Sequence, residues 1–226
     1  MQTLTIAFDL DGTLVETAPD LIRATNHVMT LTGLPAVEGP DIRPYISFGA
    51  RAMIEAAVKM HGSKRDSAEV DRLYAEFLTH YADNIAVESH AFPGLEAALD
   101  RLAARGARFA VCTNKSEVLS RQLLTALGLI NRFKAIAGRD TFAVYKPNPA
   151  HLTGVIERAG GDPTRAIMVG DSETDIATAR AADIPVIGVP FGYTATPMRD
   201  LGPDIVMEHY DQLDAAVEQL STPKER

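Results

Sequence analysis

The chain has 226 residues, 46% of them hydrophobic, enough for one sizeable core or for a core carrying a smaller inserted domain. Its formal charge is -8, from 22 Lys and Arg against 30 Asp and Glu, and no basic run stands out, so nucleic acid and anionic membrane surfaces are poor partners. No 18 consecutive residues are apolar, and Met1 to Leu10 has no basic start followed by a long apolar stretch, which argues against a membrane span and a secretory leader.

The first element is an apolar strand, TLTIAFDL, and it ends in an acidic turn, DLDGT, with Asp9, Asp11, Gly12 and Thr13. Two unit charges ~4 Å apart at an effective dielectric of ~20 repel by ~4 kcal/mol, so a cation, a proton or water must offset the pair. Solvated turn residues are the plain alternative, because Asp and Gly favour turns. From about Glu16 to His90 there is no strand pattern. Three helical patterns fill the stretch: PDLIRATNHVMTLTG, GARAMIEAAVKMHG and SAEVDRLYAEFLTHYADN. A helical block directly after strand one reads as an inserted cap domain, residues 16-90, with hinges near Val15 to Thr17 and Glu88 to Pro93.

Beyond it, strands and helices alternate. RFAVCTN, FKAIAG, RAIMVGD and PVIGVP read as further strands and DIVM as a short edge strand. PGLEAALDRLAARG, SEVLSRQLLTALG and PAHLTGVIERAGG read as helices closed by Gly106, Gly128, and Gly160 with Gly161. The pattern predicts an α/β fold: a Rossmann-like parallel sheet with helices on both faces, built from residues 1-15 and 91-226, plus the all-helical cap. The tail STPKER is expected to fray. The single cysteine, Cys112, cannot form an internal disulfide and reads as a small buried hydrophobe in a reducing compartment, so a cytoplasmic location is expected. The six histidines are scattered without metal-ligand spacing and read as structural or surface residues.

Ligands bind at the carboxyl ends of strands in an open parallel sheet. Asp9 ends strand one, Thr113 and Asn114 follow the second strand, and Asp171 follows the fourth; Lys146 stands in a loop before a helix. Four polar positions recurring where apolar strands stop point to one site. Taken alone, Lys146 would be a solvated loop lysine and Thr113 a turn-closing hydroxyl.

DLDGT (Asp9 to Thr13), TNK (Thr113 to Lys115), KPNP (Lys146 to Pro149) and GDSETD (Gly170 to Asp175), in that order, resemble the four motifs of the haloacid dehalogenase superfamily. Within it the chain is similar to the phosphoglycolate phosphatase-like branch with a helical cap, over nearly its whole length. The resemblance implies a Mg2+-dependent phosphatase of small phosphorylated metabolites, with 2-phosphoglycolate favoured. Asp9 and Asp171 would supply metal-ligand oxygens and Asp11 its backbone carbonyl. Asp9 would be the nucleophile, and the Asp11 side chain the general acid and base. An acid at the position of Asp11 argues for phosphoryl transfer over dehalogenation. Thr113, the backbone of Asn114 and Lys146 would hold the phosphoryl oxygens.

Asp175 is left with three readings: it holds a metal-bound water, it holds Lys146, or it favours the next helix's N-terminus. Thr13, Ser172 and Glu173 read as supporting or capping residues. In YISFGARAMI, Ser47, Gly49 and Arg51 stand at a helix mouth, where backbone NH groups attract anions and Arg51 can fork a carboxylate. Arg51 reads equally as an ordinary exposed helix residue, and Phe48 as packing of the cap in preference to a wedge over the site. On the same fold a nucleotidase, a pyrophosphatase or a sugar-phosphate mutase is the alternative. A non-catalytic partner protein should have lost Asp9, Asp11, Lys146 or Asp171, and none is lost. Monomer and homodimer are not distinguished.

Overall fold

The structure, a computed structural model, describes residues 3–221; the tail beyond Ser221, where fraying is expected, lies outside them. The chain divides into two compact units, one of Glu16–His90 and one formed by the segment ending at Val15 together with the segment that resumes at Ala91.

Strand β1 (Thr5–Phe8) is buried at all four positions. The chain leaves through β2 (Val15–Glu16) and runs through α1 (Ala18–Leu31), α2 (Gly39–Ile42), a 3-10 turn at Arg43–Phe48, α3 (Ala50–Met60) and α4 (Ser67–Asp83). It returns by β3 (His90–Ala91), which pairs with β2. Then follow α5 (Leu95–Ala104), β4 (Arg108–Cys112), α6 (Glu117–Ala126), β5 (Ala135–Ala137) and α7 (Pro149–Arg158). The last elements are β6 (Ala166–Gly170), α8 (Glu173–Ala181), β7 (Val186–Gly188), α9 (Met198–Leu201), β8 (Ile205–Val206) and α10 (Leu213–Ser221). Helices α2, α9 and α10 carry no signal in the sequence reading.

The six strands order as β5-β4-β1-β6-β7-β8, and every pairing is parallel. Such a sheet is covered on both faces, which is why its strands are apolar runs without alternation. Ala7, Ala110, Cys112, Ala137 and Met168 pack one sheet face against Leu152, Val155 and Ile156 of α7 and Ile176 and Ala179 of α8. Of the two glycines expected to close α7, Gly160 takes the left-handed conformation, φ +74°. Gly161 instead permits close approach, because a Cβ there would lie 2.2 Å from the Thr5 hydroxyl.

Register is what positions the site. Phe8 lies beside Val111 of β4 and Val169 of β6. The residues that follow, Asp9, Cys112 and Gly170, are therefore level across three adjacent strands about 4.8 Å apart. Thr113 and Asp171 come one step later.

In the helical unit, α1 buries Leu21, Ala24, Val28 and Met29, α3 buries Met53, Ile54 and Ala57, and α4 buries Val70, Leu73, Phe77 and Tyr81. These are the three- and four-residue spacings of one helix face. Asp20, 1% exposed, is a polar exception. It accepts from the backbone NH of Glu88 (3.1 Å), the backbone NH of Ser89 (2.9 Å) and the Ser89 hydroxyl (2.7 Å), and Arg23 pairs with it. Burial alone would push this carboxyl up, but the Ser89 and Glu88 donors and Arg23 outweigh it and hold it below the usual range. A depressed carboxyl stabilises the fold above its unfolded value of 3.8, and that stability is lost as pH falls through the folded value. Asp20→Ala is therefore expected to cost about 3 kcal/mol in urea unfolding at pH 7, with the deficit shrinking below pH ~4. An unchanged denaturation midpoint at pH 7 would remove Asp20 from the account of what holds this unit together.

Among the described residues, no helix is long and apolar enough to cross a membrane.

Candidate active site

Three carboxylates converge at the carboxyl end of the sheet. Oxygens of Asp9, Asp171 and Asp175 all lie within 4.8 Å of one another. Asp9 continues β1, its backbone NH bonded to the carbonyl of Val169 at 2.9 Å, and its Oδ1 accepts from the NH of Leu10 at 2.7 Å. Asp171 accepts from the Thr13 hydroxyl at 2.9 Å and from the backbone NH of Tyr193 at 2.8 Å. Room for that carboxylate is made by glycine. A Cβ on Gly12, which sits at φ +79°, would come within 2.5 Å of Asp171 Oδ2, and one on Gly192 within 2.2 Å. The Gly of DLDGT is thus required twice, by its backbone conformation and by the acid pressed against it.

Lys146 is 2% exposed, so the solvated-loop reading does not describe it. Its Nζ lies 3.0 Å from Asp9 Oδ1 and 2.5 Å from Asp175 Oδ1. Burial opposes its charge, but Asp175 and Asp9 beside it more than compensate and raise its pKa. Two of the readings of Asp175 hold together in the structure. One oxygen binds Lys146; the other accepts from the Ser172 hydroxyl (2.6 Å) and NH (3.1 Å), while the NH of Asp175 donates back to Ser172 Oγ (3.3 Å). This reciprocal capping box starts α8. Asp175 thus orients Lys146 through one oxygen and starts α8 through the other.

Burial raises the Asp9 carboxyl to about 6, Lys146 opposing and Asp175 and Asp11 adding to it. Asp171 is likewise raised, by burial and then by Asp9 and Asp175. With all three acids ionised, three negative charges face the single ammonium of Lys146, which leaves two unmatched. Carboxylate oxygens keep further lone pairs after accepting one hydrogen bond. A cluster of hard oxygen donors two charges short of neutrality fits a divalent cation.

Thr113, 2% exposed, follows β4; its hydroxyl accepts from the NH of Lys115 at 3.2 Å. The Asn114 side chain donates to the carbonyl of Lys146 at 3.1 Å and so ties the second motif loop to the third. Asp11 pairs with Lys115, whose Nζ lies 3.0 Å and 3.2 Å from its two oxygens. Lys115 stands in the TNK motif, but no role for it is legible locally, because its partner is 104 positions away. Tyr193 and Gly192 were also missed, since the loop after β7 matches no motif. The same holds for Tyr210, whose hydroxyl donates to the carbonyl of Thr13 at 2.8 Å and so fixes the first loop from behind.

Cys112 is fully buried, and burial pushes its thiol to about 12, so no thiolate is available for catalysis. It meets His151 Nδ1 at 3.5 Å, and His151 Nε2 lies 3.1 Å from the carbonyl of Gly138. Both act as packing residues under the site.

The helical unit departs from two readings. Arg51 does not present an open fork: its Nε donates to Glu55 at 3.2 Å, its Nη2 donates to Ser67 at 3.3 Å, and Nη1 pairs with Asp71. The guanidinium ties α3 to the start of α4, because Asp71 and Ser67 come around to meet it. Gly49 sits at φ +89° as the N-cap of α3, and Ser47 is exposed. Phe48 is 76% exposed and so is not part of the unit's packing.

The haloacid dehalogenase-like hydrolase family matches residues 6–189 of the chain. The chain is 50% identical over 208 residues to the phosphoglycolate phosphatase of Mesorhizobium japonicum, covering 92% of each. It is 47% identical over 210 residues to that of Agrobacterium fabrum, covering 93% of this chain and 90% of the relative. The crystal structure of a predicted phosphoglycolate phosphatase from Haemophilus somnus superimposes with a TM-score of 0.88 at 28% identity, over 96% of this chain and 98% of that one. Motifs, parallel sheet, acid cluster and relatives agree, and the chain belongs to the haloacid dehalogenase-like hydrolases.

Proposed function

We propose that this chain is a magnesium-dependent phosphatase of small phosphate monoesters, acting through an aspartyl-phosphate on Asp9, with 2-phosphoglycolate as the favoured substrate. The observation that carries the reading is the buried cluster itself: Asp9, Asp171 and Asp175 within 4.8 Å, with the ammonium of Lys146 3.0 Å from Asp9. The relatives' names support the choice of substrate. The -8 charge and the lack of basic runs favour a small metabolite over nucleic acid, and the lone buried Cys112 favours the cytoplasm. The helical unit, residues 16-90, is read as the cap.

Asp9, Asp171 and the backbone carbonyl of Asp11 would hold magnesium, whose positive charge would let a carboxylate approach a dianionic ester. The chain's own groups do the rest. With Oδ1 of Asp9 held by the Leu10 NH and Lys146, its Oδ2 is the oxygen without a protein donor among the described residues, and it attacks phosphorus. The ester P–O bond breaks as the bond to Asp9 forms, and Asp11, which must enter this step protonated, delivers its proton to the leaving alkoxide. Thr113, the Asn114 backbone and Lys146 take the charge that spreads over the phosphoryl oxygens. Water then attacks the same phosphorus, Asp11 recovers its proton, and Asp9 is released.

The test is hydrolysis of 2-phosphoglycolate and of an aryl phosphate with magnesium and with excess chelator. Turnover of both is expected to fall at least ~100-fold in chelator and to return with magnesium. A rate indifferent to chelator would overturn the reading. A panel with a nucleoside monophosphate, pyrophosphate and a sugar phosphate decides among the alternatives on this fold.

A further inference from the structure

We infer that Tyr210 is a positioning residue for the carboxylate of Asp171, holding with one buried side chain both loops that supply this carboxylate's hydrogen-bond donors. The inference rests on the proposed reading of Asp171 as a magnesium ligand and deepens it.

Asp171 is gripped at both oxygens. Oδ1 accepts from the Thr13 hydroxyl at 2.9 Å and Oδ2 from the backbone NH of Tyr193 at 2.8 Å. One donor comes from the loop after β1 and the other from the loop after β7, so the angle of the carboxylate depends on how these two loops are held. Tyr210, fully buried in a 3-10 turn at Tyr210–Gln212, touches both of them. Its hydroxyl donates to the carbonyl of Thr13 at 2.8 Å, on the residue whose own hydroxyl reaches Asp171. Its ring meets that of Phe191, with centroids 5.8 Å apart and planes at 49°. Phe191 leads through Gly192 to Tyr193, and Gly192 lies so close that a Cβ on it would come within 2.2 Å of Asp171 Oδ2. Phe191 packs on Phe92 as well, centroids 4.5 Å apart, which anchors the second loop further.

A phenylalanine would fill the same space and keep the ring contact. What the hydroxyl adds is a fixed Thr13, and through the Thr13 hydroxyl a fixed Oδ1 of Asp171. Magnesium tolerates little departure from octahedral geometry, so a small turn of one ligand carboxylate is felt in binding. Groups that orient a metal ligand from behind change affinity by about 10- to 100-fold when removed. Tyr210 acts 197 positions from Thr13, and only through other residues; it carries no chemistry of its own.

The experiment is calorimetric titration of Mg2+, without substrate, into wild type, Tyr210→Phe and Ile156→Val. Ile156 of α7 is buried beside Gly161 and the start of β1, at the sheet end away from Asp171, and its truncation lowers stability by an amount of the same order. Tyr210→Phe should bind Mg2+ about tenfold more weakly than wild type, and Ile156→Val as tightly as wild type. The Mg2+ concentration for half-maximal turnover of 2-phosphoglycolate should rise in step in Tyr210→Phe, with KM for the substrate unchanged at saturating Mg2+. Unchanged Mg2+ affinity in Tyr210→Phe, or an equal loss in Ile156→Val, would overturn the inference and leave the proposed function standing. A raised KM at saturating Mg2+ would place the effect on the substrate and overturn it too. If wild type binds no Mg2+, the reading of the site fails and the inference with it. If Tyr210→Phe does not fold, Phe191→Leu loosens the second loop; the same weakening is expected, and wild-type affinity there would overturn the inference.

Discussion

Substituting Asp9 by Asn is expected to lower turnover of 2-phosphoglycolate by about 10^4-fold or more, measured under saturating magnesium. The amide keeps the size of the side chain and can still accept from the Leu10 NH, but it is a far weaker nucleophile and a poorer ligand for a hard cation. The same substitution carries a second, opposite signature. In the metal-free protein the buried Asp9 carboxyl is raised from 3.8 to about 6. The folded state therefore binds its proton more tightly than the unfolded state does. Stability from that proton is full below 3.8 and is lost as pH rises through about 6. At pH 7 the ionised acid is a liability on the order of 1–3 kcal/mol. In chelator at pH 7, Asp9→Asn should thus melt above wild type, and the gap should close on acidification toward pH 4. A variant that is inactive and also less stable at every pH would show that the carboxylate is not electrostatically strained.

Lys146→Met should do the reverse and lose on both counts. Removing the ammonium leaves Asp9 and Asp175 facing each other without the cation that lies 3.0 Å and 2.5 Å from them. Breaking a buried pair by deleting one partner costs about 3–5 kcal/mol, which for a domain of this size is roughly 10 °C in melting temperature. Turnover should fall about 10^2- to 10^3-fold, because charge spreading onto the phosphoryl oxygens loses its donor. Lys146→Arg keeps the charge in a larger, planar head within a 2% exposed site, so it should recover part of the stability and little of the rate. Wild-type stability in Lys146→Met, by differential scanning fluorimetry in chelator, would mean that the carboxylates do not depend on it.

The strands were legible because a parallel sheet buried on both faces selects apolar runs: TIAF, RFAVC and AIMVG are apolar apart from Thr5 and Arg108 at their first positions. The helices were legible from their one-sided spacing and from the glycines that close them, such as Gly106 and Gly128. The candidate acids stood out for a related reason, since each interrupts an apolar run where a strand stops. Pairings across the chain were not legible. Nothing in the local pattern says that Lys115 meets Asp11, that Tyr193 and Tyr210 brace Asp171 and Thr13, or that Arg51 is bound by Asp71 instead of standing open. Helix α10 was missed as well: its apolar positions belong to a segment without a motif.

By itself, then, the sequence determined which backbone segments form sheet and helix and which loops carry acid, hydroxyl and lysine, because those follow from burial and spacing within a few residues. Only the tertiary structure decided which charges are matched. That depends on strand register and on loops more than 100 positions apart meeting where water is excluded, and the energy of a buried charge is set by whatever stands beside it in space.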